Sequence, residues 1–178
     1  MNADIIERAK KVKLLALDAD GVLTDGGVYV LDDGREFRRF DIKDGLGIKR
    51  AMAAGIQVAI ISSSACEAVQ HRAATLGIDE VHIGVADKLA VLLDICQRLQ
   101  LTLDQVAYMG DDLVDLPILE RVGLPCAPAD AAQVVKDAAY YIASSGGGKG
   151  AVREIADALF HCAESCFADG KDRPPQVQ

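Results

Sequence analysis

The sequence lacks a basic surplus. Its 178 residues hold 19 Lys and Arg against 27 Asp and Glu, giving a formal charge of −8 and a pI near 4.8. A nucleic-acid binder shows a basic footprint, so that class is set aside. An anionic ligand would have to be held by a metal, by backbone N–H groups or by a few local basic side chains. Long apolar runs are missing as well. The longest uncharged stretch, residues 51–66, is interrupted by Gly55, Gln57 and three serines and does not read as a membrane span. The charged start "MNADIIERAKKVK" reads as a lead-in helix rather than a signal peptide. Cysteines number only five, an odd count in irregular spacing, which points to reduced thiols and a cytoplasmic setting. Cys162 and Cys166 would share a helix face, but no second ligand pair stands near them, so they read as ordinary helix residues. Aromatics make up 4% and tryptophan is absent. The core must therefore come from aliphatic residues, and a chain that is 51% apolar has enough of them for one globular α/β domain.

Apolar runs alternate with helical patterns along the chain. Strands are expected over residues 12–20, 56–64, 80–85 and 106–112, with a shorter one at 123–128. Helices are expected over 44–55, 64–77, 88–101 and 113–123. This repetition implies a three-layer, Rossmann-like parallel sheet covered on both faces. Residues 26–42, "GGVYVLDDGREFRRFDI", break the rhythm with two alternating runs around "DDG", a small β-hairpin inserted after the first strand. One domain over residues 1–167 is expected, with 168–178, polar and Pro-bearing, as a loose tail.

The chemistry gathers at strand ends. In "KLLALDADGVLTDG" an apolar strand runs straight into Asp18 and Asp20. Asp111 and Asp112 hold the equivalent place after "VAYMG", with Asp115 one turn on. Ligands of an open parallel sheet collect at the carboxyl ends of its strands, so these acids should converge. Carboxylates that close cannot all stay ionised without a cation, and oxygen ligands at a partly open site suit Mg²⁺. Ser62, after the strand "VAII" and read as opening a helix, offers a hydroxyl for a phosphoryl oxygen. Lys88, before the helix "LAVLLDIC", brings positive charge to the same rim. Taken singly, the serine is an N-cap and the lysine a solvated side chain.

Together, Asp-x-Asp, Ser, Lys and Gly-Asp-Asp-x-x-Asp resemble the haloacid dehalogenase superfamily and its phosphatases, over residues 14–159. The resemblance implies that Asp18 is the nucleophile, forming an aspartyl phosphate, and that Asp20 is general acid and then base. It implies Mg²⁺ on Asp18, the backbone carbonyl of Asp20 and Asp111. Ser62 and Lys88 would bind the transferring phosphoryl group, while Asp112 and Asp115 support the metal site and Lys88. With only a hairpin as insertion, the chain resembles the capless branch that hydrolyses 3-deoxy-D-manno-octulosonate 8-phosphate, a lipopolysaccharide precursor. "RFDIKDGLGIK", "RAATLGI" and "GGGKGAVREI" are among the matching stretches. That branch implies a homotetramer joined through the hairpins. It puts contacts to a phosphorylated sugar acid on Asp41, Ile42, Lys43, Asp44, Gly45, Lys49 and Arg72, besides Asp20 and Lys88.

Two departures stand out. Where that branch usually has Thr-Gly-Arg, this chain has Ser62-Ser63-Ser64, and it carries Lys49 where an arginine is expected. A serine cannot replace an arginine's paired hydrogen bonds to a carboxylate, and a lysine replaces them only in part. A related sugar-acid phosphate, such as a nonulosonate 9-phosphate, is therefore the alternative substrate. The non-enzyme alternatives are a receiver-type phosphoacceptor domain and an inactive phosphatase scaffold. Motif order disfavours the first, and a full set of catalytic positions disfavours the second. "GGGKG" at 146–150 lacks the residues that complete a P-loop and reads as a flexible turn. His71, His82, His161 and Arg153 read as structural or surface residues.

Overall fold

The computed structural model describes residues 3–168. Helix α1 (Ala3–Lys11) leads into strand β1 (Leu14–Leu17), and the hairpin strands β2 (Tyr29–Val30) and β3 (Glu36–Phe37) follow. The chain then runs through α2 (Ile42–Ala53), β4 (Gln57–Ile61), α3 (Glu67–Leu76), β5 (Glu80–His82) and α4 (Lys88–Leu99). It closes with β6 (Val106–Met109), α5 (Leu116–Leu119), β7 (Leu124–Ala127), α6 (Gln133–Ala138), β8 (Tyr141–Ile142) and α7 (Ala151–Ala168). Six strands form one parallel sheet in the order β5-β4-β1-β6-β7-β8.

The period-two alternation of β1 feeds both faces of this sheet. Leu15 and Leu17 face a layer made with α1, α2, α3 and α7, including Ala9, Ile48, Val69, Ile155 and Leu159. Leu14 and Ala16 face α4, α5 and α6 through Leu92, Ile95, Ile118 and Val135. All four β1 residues are fully buried, and each leucine contributes roughly 1.5–3 kcal/mol of hydrophobic stabilisation. The three layers expected from the sequence are present.

The differences have local causes. Strand β8 and helix α6 have only two and six residues, too few to register as a pattern. The helix expected over 113–123 splits into a 3₁₀ turn, Leu113–Asp115, and the short α5, with Pro117 in its first turn. Proline is tolerated there because first-turn N–H groups have no helical partner. Helix α3 begins at Glu67 with Cys66 as N-cap, so Ser62 lies in a loop ahead of the helix instead of opening it. The glycine segment at 146–150 is packed rather than flexible. Gly148 N donates to Val22 O at 2.9 Å, and a Cβ on Gly147 would collide with Gly21 O.

The hairpin stands outside the sheet. Tyr29 and Phe37 are paired across it and their rings stack at 4.8 Å. Gly34, at φ +83°, supplies the left-handed residue that its turn requires. A bridge between Thr24 and Phe40 closes its base. The expected tail, residues 168–178, falls almost wholly outside the described residues, as does the Cys166 side chain.

Candidate active site

Strand order reverses beside β1. The chain builds β4 and β5 on one side, then crosses to lay down β6, β7 and β8 on the other. The carboxyl ends of β1 and β6 flank that switch point, where an open α/β sheet binds its ligands. Leu17 lies opposite Met109, and the ladder continues one step as Asp18 N donates to Met109 O at 3.0 Å. Asp18 and Asp111 therefore leave the sheet side by side on rigid backbone. Gly21 lets the chain turn closely over them: its φ is +80°, and a Cβ there would overlap the Asp111 carboxylate.

Lys88 is 4% exposed, in the first turn of α4, behind an Asp87 side chain that accepts from Ala90 N at 3.0 Å. Its Nζ lies 2.8 Å from Asp18 Oδ2 and 2.8 Å from Asp115 Oδ1. Burial works against the ammonium, but the two carboxylates outweigh it and its pKa is raised. Asp115 is fully buried and saturated. Besides Lys88 it accepts from Tyr108 Oη at 2.6 Å, from Asp111 N at 3.0 Å and from Asp112 N at 3.3 Å. Asp112 points out to solvent and caps the turn by accepting from Leu113 N at 2.7 Å. The spacing Gly-Asp-Asp-x-x-Asp is thus a capping box that fixes the backbone of Asp111.

Two carboxyls remain under tension. Burial, then Asp115, push Asp18 up to about 6, although Lys88 and the Ala19 N–H at 2.7 Å pull the other way. Burial, then Asp18 and Asp115, push Asp111 up to about 7. Carboxylate oxygens of Asp18, Asp111 and Asp115 all lie within 4.8 Å of one another. A cation among them would relieve this repulsion, and an all-oxygen donor set fits Mg²⁺. With Asp115 committed to Lys88 and Tyr108, Asp18 and Asp111 are the carboxylates left to bind it.

Asp18, Asp20, Ser62, Lys88, Asp111 and Asp112 line one cleft of about 260 Å³, with Ser63 and Ser64 also in its wall. Ser62 is 1% exposed, and its Oγ accepts from Ser64 N at 3.2 Å. The other expected contacts are not in this wall. Asp41 caps α2 by accepting from Lys43 N at 2.6 Å, and Arg72 Nη2 donates to Asp41 O at 3.2 Å. Ile42, Lys43 and Lys49 are exposed. Asp44 is 1% exposed and faces away into the fold, where it accepts from Arg153 N at 2.7 Å and Gly150 N at 3.3 Å at the start of α7. Gly45 is buried beneath the Arg72 guanidinium. Asp44 and Gly45 hold α2, α3 and α7 together.

Three residues of the site escape sequence reasoning. Tyr108 reads as one more apolar strand residue. Thr24 donates to Asp20 Oδ1 at 3.4 Å, and Arg38 donates to the same oxygen at 2.9 Å from the hairpin. Nothing in "REFRRF" sets Arg38 apart from Arg35 and Arg39, so its inward turn is visible only in the structure.

Comparison with known proteins agrees with this geometry. Residues 80–155 match the family model described as haloacid dehalogenase-like hydrolase. The chain is 43% identical over 159 residues to the 3-deoxy-D-manno-octulosonate 8-phosphate phosphatase of Escherichia coli K12, covering 89% of this chain and 85% of that one. The chain belongs to the haloacid dehalogenase-like hydrolases. Among solved structures, the 3-deoxy-D-manno-octulosonate 8-phosphate phosphatase of Yersinia pestis superposes with a TM-score of 0.90 at 37% identity, over 98% of this chain and 93% of that one. The phosphatase of the same name from Moraxella catarrhalis, solved with magnesium, phosphate and KDO, superposes with a TM-score of 0.89 at 32% identity, over 96% and 100%. Family membership and the fold select the hydrolase over a receiver-type domain: here the leading Asp pair follows the central first strand, and the lysine precedes the Gly-Asp-Asp turn.

Proposed function

We propose that the protein is a Mg²⁺-dependent phosphatase of 3-deoxy-D-manno-octulosonate 8-phosphate. One observation carries the reading: Asp18, itself buried, meets Lys88 and Asp111 at the floor of a cleft that Asp20 overlooks. In the first step an Asp18 carboxylate oxygen bonds to phosphorus while the bond from phosphorus to the sugar oxygen breaks, and Asp20 gives its proton to that departing oxygen. In the second step water attacks phosphorus, Asp20 takes the water's proton, and the Asp18–phosphorus bond breaks to release inorganic phosphate. Proton transfer of this kind is worth about 10²–10⁴-fold.

Lys88 offsets the repulsion between a carboxylate and a phosphate dianion. Because Ser62 Oγ accepts from Ser64 N, its own proton is left to donate to a phosphoryl oxygen. Asp18, the Asp20 carbonyl and Asp111 would hold Mg²⁺, which would supply further neutralising charge. Asp112 and Asp115 act one step back, through the backbone of Asp111 and through Lys88. The exposed turn Asp41–Lys43, with Lys49 and Arg72, is assigned the sugar-acid end of the substrate.

The experiment is phosphate release, with kcat/KM ranked across sugar-acid phosphates. The octulosonate ester should rank first, and EDTA should abolish turnover. Full activity in EDTA rejects the mechanism. A second reading has its own support: Ser64 lines the cleft where an arginine is usual in this branch. Losing a charged hydrogen bond to substrate costs about 1.5–3 kcal/mol, so a nonulosonate 9-phosphate ranking first would establish that reading instead.

The same proposal takes residues 1–167 as one unit that assembles as a homotetramer in the cytoplasm. Support for assembly comes from the hairpin, where Val28, Tyr29, Val30, Leu31 and Phe37 are 39–62% exposed. An isolated two-stranded ribbon is marginal in water, and a contiguous apolar patch of this kind marks an interaction surface. Light scattering decides it, and a stable monomer rejects it.

A further inference from the structure

The geometry assigns Arg38 a role in the reaction itself, as the positioning residue that aims the Asp20 carboxyl at the departing oxygen. This rests on the reading of Asp20 as proton donor. Arg38 follows β3 on a ribbon whose strand side chains face solvent: Phe37 is 48% exposed and Glu36 is exposed too. The Arg38 side chain is only 4% exposed. It turns inward, Nε donating to Asp20 Oδ1 at 2.9 Å and Nη1 to Glu36 Oε2 at 3.1 Å. Glu36 braces the guanidinium from the far side, so the fork is held at both ends.

Asp20 needs such a hold. Its side chain is 32% exposed, and among the described residues no backbone N–H clamps it in the way that Ala19 N clamps Asp18. Its two tethers, Arg38 Nε and Thr24 Oγ1, both end on Oδ1. Two donors on one oxygen fix the carboxyl plane and leave Oδ2, which has no hydrogen bond among the described residues, to serve the substrate. A proton donor must lie within hydrogen-bond reach of the oxygen it serves, and small misplacements of reacting groups are costly. The hairpin therefore takes part in the chemistry within its own chain, in addition to any part in assembly.

Leaving-group dependence separates positioning from mere support. A sugar alkoxide needs a proton to depart, whereas 4-nitrophenolate leaves without one. In kcat/KM, which reports transfer to Asp18, Arg38→Gln should lose roughly 10–100-fold with the sugar phosphate and less than about twofold with 4-nitrophenyl phosphate. Arg38→Lys, which keeps one charged donor, should recover most of the loss. The ratio of the two substrates on one preparation is unaffected by a misfolded fraction, which lowers both equally. Equal loss on both substrates, or no loss on either, overturns the proposal. Asp20→Asn runs alongside. If it shows the leaving-group signature and Arg38→Gln does not, the positioning role alone fails; if Asp20→Asn lacks the signature, the assignment of Asp20 fails first.

Discussion

The carboxyl end of the sheet and the hairpin use the same groups, carboxylates beside cations, in opposite surroundings. At the sheet, Lys88 is locked between Asp18 and Asp115, with side chains 3%, 8% and 0% exposed. On the hairpin, Arg35 and Asp33 pair at 2.7 Å with side chains 77% and 52% exposed. The first pair is unscreened, and each polar atom of Asp115 has a partner; the second is screened by water and adds little. Reaction geometry is thus fixed where burial and hydrogen bonding over-determine it. The hairpin instead exposes apolar surface and contributes Arg38, whose guanidinium reaches the Asp20 carboxylate.

Four substitutions and one change of conditions test this contrast. The largest effect should come from Asp18→Asn, which removes the nucleophile and should lower kcat by about 10⁵-fold in a phosphate-release assay. Retained turnover would mean that the buried acid is structural. Next, Asp115→Ala strips Lys88, Tyr108 and two backbone N–H groups of their acceptor. Breaking a buried pair from one side costs about 3–5 kcal/mol, readable by urea unfolding, whereas Asp33→Ala on the hairpin should cost under about 1 kcal/mol. Equal costs would erase the distinction between the regions.

A smaller effect is expected from pH and metal. Asp18 and Asp111 are held at about 6 and about 7, above the usual value of about 3.9. Between these values the metal-free folded protein binds more protons than the unfolded chain. Its stability therefore falls as pH rises from about 4 to about 7. Mg²⁺ binds the ionised forms, so the gain in Tm on adding it should be larger at pH 8 than at pH 5 by calorimetry. Smallest in its effect on the sheet is Val30→Asp. Light scattering should show a lower mass while far-UV circular dichroism stays unchanged.

The legible part of this protein lies in local pattern. The run from Leu14 to Leu17 reads as a buried strand, and the acids that follow it and "VAYMG" fall at the strand ends where a parallel sheet gathers its ligands. Their spacing also encodes a turn, since Asp112 and Asp115 cap their own neighbours. What stayed hidden depends on distance along the chain. Arg38 reaches back 18 residues to Asp20, and Asp44 reaches forward 109 to Arg153 N, contacts with no periodicity to announce them. Asp44 looked like a substrate contact because its segment carries the family pattern. Its burial shows that the same acid pins α7. Tyr108 was invisible for the opposite reason, as an aromatic within an apolar strand looks like core until its hydroxyl finds Asp115.

By itself the sequence determined the longer elements, the sheet type and the residue types at the strand ends, because period and spacing act over a few residues. Only the tertiary structure decided which acid is saturated and which is left for a cation, and which arginine turns inward. Those outcomes depend on burial and on partners that the chain brings together from afar.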